Sequence, residues 1–501
     1  MLYNRFSKKN GVIQLNVQEQ QMFENLQRTI ELQAKQLDSL LKLNAQQAEK
    51  IKMLLQKIDE LTCGQKDSHN SSKPPSSDGY MKKPAPKSLR QSSGKKQGGQ
   101  PGHKGSGMKI ERLPDETIQH YPPACVSCPR RGECQARLAE KRYEYDIVVH
   151  SKLVEHQQME CCCPMQNQAV LQGKFPEHIK ATKQYGLNIA AFASALSTVG
   201  MVGIDRIHQL LQSVFQVPIS TGTIRNMLDR LTDATKEAVA AIKEHVQKLP
   251  CLHLDETGLR VAGSLHWLHC ACDEKWSFFA LQKKRGAEAI DAIGILPGYE
   301  KLVVHDCWAP YEKYQKSSHA LCCAHILREL VYMDEQLGQA WARDMKCLLQ
   351  EILHQRHTLE AGGNTAFTGE ELAAYSSRYD AIVQVGIAGN PLPAQESGKR
   401  GRPKRGKIRA LLDRLQGKKD QILRFAWDWT VPFSNNEAER SIRFSKVKQK
   451  VSGCFRTLSG AEDYASIMSF ISTASKHSVS YFDAVKAALN GDALQLVGQW
   501  A

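Results

Sequence analysis

The sequence predicts a multidomain chain. Its expected parts are an N-terminal coiled coil over 17–62, a disordered basic linker over 63–119, a small cysteine-rich, zinc-ribbon-like module over 120–175, and a helix–turn–helix region over 183–247. An α/β domain over 250–475 follows, with a helical insertion at about 324–420, and a helical tail closes the chain over 476–501. Three observations carry this reading: a heptad pattern near the N-terminus, an abrupt loss of apolar residues after it, and a switch from helical to strand periodicity after Pro250. With 501 residues the chain exceeds what one core organises, so several domains are expected.

The heptads come first. Taking Phe23 as position a, the a series is Phe23, Ile30, Leu37, Asn44, Ile51, Ile58, and the d series is Leu26, Gln33, Leu40, Gln47, Leu54, Leu61. Isoleucine at a with leucine at d favours a parallel two-stranded coil, and a lone Asn at a fixes register. A homodimer or higher homo-oligomer through this segment is therefore expected. Beyond it, NSSKPPSSD, KKPAPK and SGKKQGGQPGHKGSG are rich in Ser, Pro, Gly and Lys and cannot build a core.

Lys and Arg number 67 against 52 Asp and Glu, a formal charge of +15, which points to a polyanionic partner such as DNA. No run of 18 apolar residues occurs, so no membrane span is expected. The N-terminal residues lack the pattern of a secretory leader. Fifteen cysteines in a chain expected in the cytoplasm suit thiols and zinc better than disulfides. Cys125-x-x-Cys128 fits one half of a tetrahedral zinc site, because a short turn aims both thiolates at one ion. Cys161 and Cys163, from a run of three, are the expected second pair, with Cys134 and His156 as substitutes.

DRIHQLLQSVF, a break at Gln216-Val217-Pro218, and STGTIRNMLDRL form a helix–turn–helix pattern. Ser220 or Thr221 caps the second helix, whose Arg225, Asn226 and Arg230 become candidate DNA contacts.

After Pro250, CLHLDE (251–256), GLRVA (258–262), LHWLHCACD (265–273) and WSFFALQ (276–282) read as short strands, then a helical stretch over 286–296, then KLVVHD (301–306). In such a sheet the first and fourth strands can lie side by side. Asp255 ends one and Asp306 the other, and two carboxylates so placed suit magnesium, a hard cation that prefers oxygen. A third carboxylate is available in PFSNNEAERSIRFSKVKQKVSGCFRT, a helix start followed by the basic residues Arg440, Arg443, Lys446, Lys448 and Lys450. Ser434 with Glu437, and Asn436 with Glu439, both have capping-box spacing, so capping does not choose between the two acids. His325 and Arg328 open the first helix of the insertion, with a core or capping role the plainer expectation. Near its end, KRGRPKRGK carries Arg400 and Arg402 in a short motif suited to narrow minor grooves.

HLDETGLRV, VHDCWAPY, CCAHILREL, GKRGRPK and NNEAERSIRFSKVKQKVSGCFRT, in that order, resemble the transposases of the insertion-sequence 66 family of bacterial mobile elements. The linker is similar to that family's N-terminal signature. The resemblance implies a ribonuclease-H-like catalytic core with an Asp-Asp-Glu triad at Asp255, Asp306 and Glu439, the acid directly before Arg440 being favoured over Glu437. It further implies Mg2+ (or Mn2+) as cofactor, strand cleavage and strand transfer at the element's ends, and a cytoplasmic protein at the bacterial nucleoid. The implied partners are terminal inverted repeats, target DNA and accessory proteins of the same element. Cys307 stands where the family usually has Gly, and the triple-cysteine run replaces a regular second C-x-x-C. The rival expectation is a DNA-binding regulator, derived from a transposase, whose acids are only structural.

Overall fold

The computed structural model describes residues 17–63, 110, 112–130, 133, 137–147, 150–163, 169–392 and 406–500. Most of the expected linker, together with Cys134, Arg400 and Arg402, lies outside these residues.

Helix α1 (Val17–Cys63) is continuous, and its apolar series stands open: Phe23, Ile30, Leu37, Leu40 and Ile51 are each more than half exposed. No helix among the described residues is long and apolar enough to cross a membrane.

The chain divides into two compact units. The smaller comprises 79–184 and 208–220. It contains the single turn α2 (Pro123–Val126) and an antiparallel ribbon of β1 (Glu160–Cys163) with β2 (Ala169–Gln172), in which Cys161 faces Leu171 across the pair.

The larger unit is built on one mixed sheet. Its helices up to the sheet are α3 (Leu187–Thr198), the start of α4 (Ile204–Ser213), and α5 (Thr221–Val246). The strands are β3 (Cys251–Val261), β4 (Ser264–Cys272), β5 (Ser277–Gln282), β6 (Leu302–His305) and β7 (Ser318–Leu321), in the order β5-β4-β3-β6-β7. The first three form an antiparallel meander; β6 and β7 add in parallel to β3. The two runs expected at 251–256 and 258–262 are one strand, since Thr257 and Gly258 stay in the ladder opposite Leu268 and Trp267. At its end Ala262 (φ 47°) and Gly263 (φ 79°) both take left-handed conformations, as a two-residue hairpin matching the strand twist requires. Strand β7 leaves no signal in the sequence, because four residues are too few for a visible alternation.

Helix α6 (Ala287–Ile293) links β5 to β6, and a 3-10 turn over Ala309–Lys313 links β6 to β7. Then come α7 (Cys323–Leu337), α8 (Ala340–Ala361), α9 (Gly369–Gly389), α10 (Lys407–Gly417) and α11 (Lys419–Trp427), the helical insertion, which packs its own apolar core against Val304, Ala320 and Leu321. The chain returns to the sheet as α12 (Asn436–Ser452) and α13 (Leu458–Lys476) and ends in α14 (Tyr481–Asn490) and α15 (Ala493–Gly498).

Alternation along β3 splits its residues between two faces. Leu252 and Leu254 join α5, α13, α14 and α15 in one core, while Leu259 and Val261 join Ala438 and Ile442 of α12 and Tyr464, Ala465 and Met468 of α13 in another. Helix α5 and the C-terminal helices, expected as a separate region and a tail, are thus part of the sheet's own core. Their apolar faces leave them no other place to be buried. Edge strand β5 is protected by α13, whose Ser469 Oγ and Thr473 Oγ1 accept the N–H groups of Phe279 and Ser277.

Candidate active site

The parallel pairing of β3 with β6 aligns Cys251 with Leu302, Leu252 with Val303 and His253 with Val304. Continued by two residues, that register sets Asp255 opposite Asp306, just past the last residue of β6. Each carboxylate accepts a backbone N–H on Oδ1, Asp255 from Glu256 (2.9 Å) and Asp306 from Trp308 (3.1 Å). Burial, followed by the charges of Glu256, Asp306 and Glu439, raises Asp255 well above the usual carboxylate range. Burial, with Glu256 and Glu439 adding and Arg285 opposing, pushes Asp306 up to about 8. Of the two glutamates at the start of α12, Glu439 is the one whose charge reaches both aspartates. Glu437 pairs instead with Arg440 (2.5 Å) and Lys476 (3.9 Å). Neither acts as a capping-box partner, because the N-cap is Asn435, whose side chain makes no cap bond.

Asn435 has a different task. It is 1% exposed; its Nδ2 donates to the Leu254 carbonyl (2.6 Å), its Oδ1 meets His253 Nδ1 (2.9 Å), and its backbone N–H reaches Cys322 Sγ (3.1 Å). Burial lowers the His253 pKa, so the ring is held neutral and its Nδ1–H donates to Asn435. One side chain therefore ties the first turn of α12 to the strand residue before Asp255 and to the start of α7.

On the opposite face of β3, Glu256 is almost wholly enclosed. It is paired with Arg285 (Nε to Oε1, 2.7 Å) and accepts the Tyr311 hydroxyl (2.6 Å). The guanidinium of Arg285 lies 5.0 Å from the Trp267 ring centre and 4.1 Å from that of Trp308. A buried carboxylate with a matching cation and a hydroxyl is compensated within the protein, so Glu256 is occupied before any ligand arrives. Glu256, Arg285, Tyr311, Asn435 and Cys322 were missed in the sequence. Glu256 stands inside the LDET run beside Asp255, but nothing in one sequence says which of two adjacent acids is already neutralised.

Glu439 faces α7. Its Oε1 lies 3.5 Å from His325 Nδ1, and its Oε2 lies 3.8 Å from Arg328. Burial, aided by Arg328 and Arg414, brings His325 down to about 4, so the ring is neutral and the contact is not an ion pair. Both facing atoms, Nδ1 and Oε1, are buried without a hydrogen bond.

The expected DNA contacts scatter. The connection between α4 and α5, residues 214–220, is longer than the 3–4-residue turn of a helix–turn–helix. Asn226 and Arg230 are exposed on α5, whereas Arg225 is half-buried and ion-paired with Asp229 and Asp463. On α12, Arg440 and Arg443 are exposed, and Lys446 donates to the Gly258 carbonyl (2.9 Å). Lys448 is only 8% exposed and donates to the Ser197 carbonyl (2.7 Å) near the C-terminal end of α3, with burial bringing its pKa down to about 8. The Lys448 side chain is thus turned to α3 rather than to solvent. The helical period carries it onto the same face as Ala438 and Ser445, and α3's terminal carbonyls take its charge. In the smaller unit, Cys125 and Cys128 share one turn (Cys128 N to Cys125 O, 3.4 Å) and Cys161 is exposed on β1. Among the described residues these cysteines do not gather as a three-ligand group; the group that does is Cys322, His325 and Glu439.

By comparison with known families, the chain falls among the transposases. Residues 183–463 match the Transposase IS66 family, which covers more than half of the chain, and the chain belongs to that family. Residues 16–109, which span the heptad segment and most of the linker that carries the expected N-terminal signature, match a family of unknown function (DUF6444). No curated protein matches the chain.

Proposed function

We propose that the chain cleaves DNA at the ends of a bacterial insertion sequence and joins the freed ends to target DNA, using a ribonuclease-H-like site of Asp255, Asp306 and Glu439. The observation that carries this is the register of β3 and β6, which brings two raised-pKa aspartates opposite each other within range of Glu439's charge. Two buried aspartates set opposite each other, with the charge of Glu439 reaching both, are held well above the usual carboxylate range, and a divalent cation is the partner that would relieve that repulsion. Magnesium, or manganese, bound there would supply Lewis acidity at the scissile phosphate and an activated nucleophile. The protein's own part is positional. Backbone N–H groups hold one oxygen of each aspartate, Asn435 fixes the α12 turn that bears Glu439, and Arg285 with Tyr311 keeps Glu256 compensated. Exposed Asn226 and Arg230 of α5, Arg440 and Arg443 of α12, and the basic segment with Arg400 and Arg402 are the proposed DNA contacts. We further propose that α1 pairs two subunits and that Cys125, Cys128, Cys161 and Cys163 take a structural zinc.

The test uses purified full-length protein with duplexes drawn from the sequences flanking its coding region, against scrambled duplexes, with and without Mg2+. Asp255→Asn, Asp306→Asn and Glu439→Gln are each expected to abolish strand cleavage while end binding survives, and Glu437→Gln to remain active. Sequence-selective binding without any metal-dependent cleavage by the parent protein would favour the regulator and refute the catalytic reading.

A further inference from the structure

The start of α7 and the first turn of α12 meet at Glu439. Cys322 is the N-cap of α7, and His325 lies one turn on, at the i, i+3 spacing that places two side chains on one face. Glu439 reaches the same place from the first turn of α12. One donor atom from each, a thiol sulfur, a ring nitrogen and a carboxylate oxygen, lie within 4.8 Å of one another.

We propose that Cys322, His325 and Glu439 form a binding site for a thiophilic divalent cation, Zn2+ being the best fit, separate in chemistry from the magnesium site but sharing Glu439 with it. Four observations support it. First, His325 Nδ1 and Glu439 Oε1 are both buried and both lack a hydrogen-bond partner, which is costly unless something lies between them. Second, their separation of 3.5 Å is not spanned by a hydrogen bond, yet it is close to the N···O edge of a zinc tetrahedron, about 3.4 Å for bonds of about 2.0–2.1 Å. Third, the thiol and the ring come from one helix start, three residues apart, so both approach the same point from one element. Fourth, Cys322 Sγ already accepts the N–H of Asn435, a donor that steadies a thiolate once a cation replaces its proton.

The charges balance. A thiolate and a carboxylate neutralise a dication, with the thiol proton released to solvent, and three protein ligands leave a fourth position for water. A thiolate discriminates strongly against Mg2+, a hard ion that prefers oxygen, and in favour of zinc. Arg328, 3.8 Å from Glu439 Oε2, opposes a cation, but its side chain is 45% exposed and free to turn toward water.

A consequence follows for the proposed reaction and rests on that reading. Glu439 cannot serve both ions fully, so an ion bound to Cys322 and His325 draws it from the aspartates, and zinc would inhibit magnesium-dependent cleavage.

The direct test is a Co2+ titration of full-length protein carrying Cys125→Ser, Cys128→Ser, Cys161→Ser and Cys163→Ser, which removes the thiolates of the other proposed zinc site. Co2+ reports each thiolate it binds by a charge-transfer band and its geometry by its d–d intensity. The expected result is a thiolate band saturating at one equivalent, displaced by Zn2+ and not by Mg2+, and absent when Cys322→Ser is added. Because Cys322 is buried and its variant can fail to fold, His325→Gln is measured alongside. It should retain the parent circular dichroism and weaken Co2+ binding by at least about tenfold. A band unchanged by Cys322→Ser, or unchanged affinity in folded His325→Gln, overturns the site. If the band behaves as expected while zinc leaves cleavage untouched, the metal site stands and the role of Glu439 as third acid falls. If the band fails while Mg2+-dependent cleavage still requires Glu439, the reverse holds.

Discussion

Replacing Asn435 by alanine tests whether one buried amide holds the acid-bearing helix to the sheet. The substitution leaves the backbone bond to Cys322 but removes the side-chain bonds to the Leu254 carbonyl and His253 Nδ1. His253 is a buried ring at 7% exposure, so water does not readily replace the lost partner. Each buried polar group left unsatisfied costs about 1–3 kcal/mol, so the variant should be less stable by about 2–6 kcal/mol. Asn435→Asp should do no better, because it sets a carboxylate oxygen against the Leu254 carbonyl and adds negative charge beside Asp255. All seven tryptophans lie between Trp267 and Trp500, so their fluorescence during urea unfolding reports on the unit that contains the sheet. The second readout is cleavage under conditions where the variant is still folded. A shift of α12 that moves Glu439 by about 1 Å should lower the rate by about a hundredfold. A stability loss under about 0.5 kcal/mol, with cleavage unchanged, would refute the claim that Asn435 positions the helix.

Two further outcomes follow from the same geometry. An acid whose pKa is higher in the folded than in the unfolded chain binds more protons when folded, so its contribution to stability falls as pH rises between the two values. For Asp306 that window runs from the ordinary carboxylate range up to about 8; the melting temperature of chelator-treated protein should drop across it, Mg2+ should restore it, and Asp306→Asn should flatten the profile. A profile that is already flat in the parent protein contradicts the burial of that charge. Deleting residues 17–62 should shift the protein toward monomer in sedimentation and weaken paired-end complexes more than single-end binding; an unchanged mass removes α1 from the assembly.

Several features were legible in the sequence because they depend on local order alone. The heptads of α1 announce a helix by their period, and helix α1 spans Val17–Cys63. Asp255 and Asp306 stand at the ends of apolar runs in the sequence, and strand periodicity is a local property. The long helical stretch between Asp306 and Glu439 was equally visible, since α7, α8 and α9 each repeat an apolar face. What the sequence could not hold was every relation that depends on two distant segments. The pairing of β3 with β6, which sets Asp255 opposite Asp306, joins residues some fifty positions apart, and no periodicity encodes a partner. The same reason hid the difference between Glu437 and Glu439, which only the positions of Lys476 and the aspartates reveal. Lys448 read as one more exposed cation in a basic run, yet α3 lies where its side chain ends. Arg225 reads in the sequence as a free cation, whereas in the fold it is paired with Asp463, on a helix more than two hundred residues away. Composition and period determined which elements form and where the acids stand along them. Tertiary packing decided which charges are spent inside the protein and which stay exposed or unpaired, because desolvation and Coulomb energy depend on distance in space rather than along the chain.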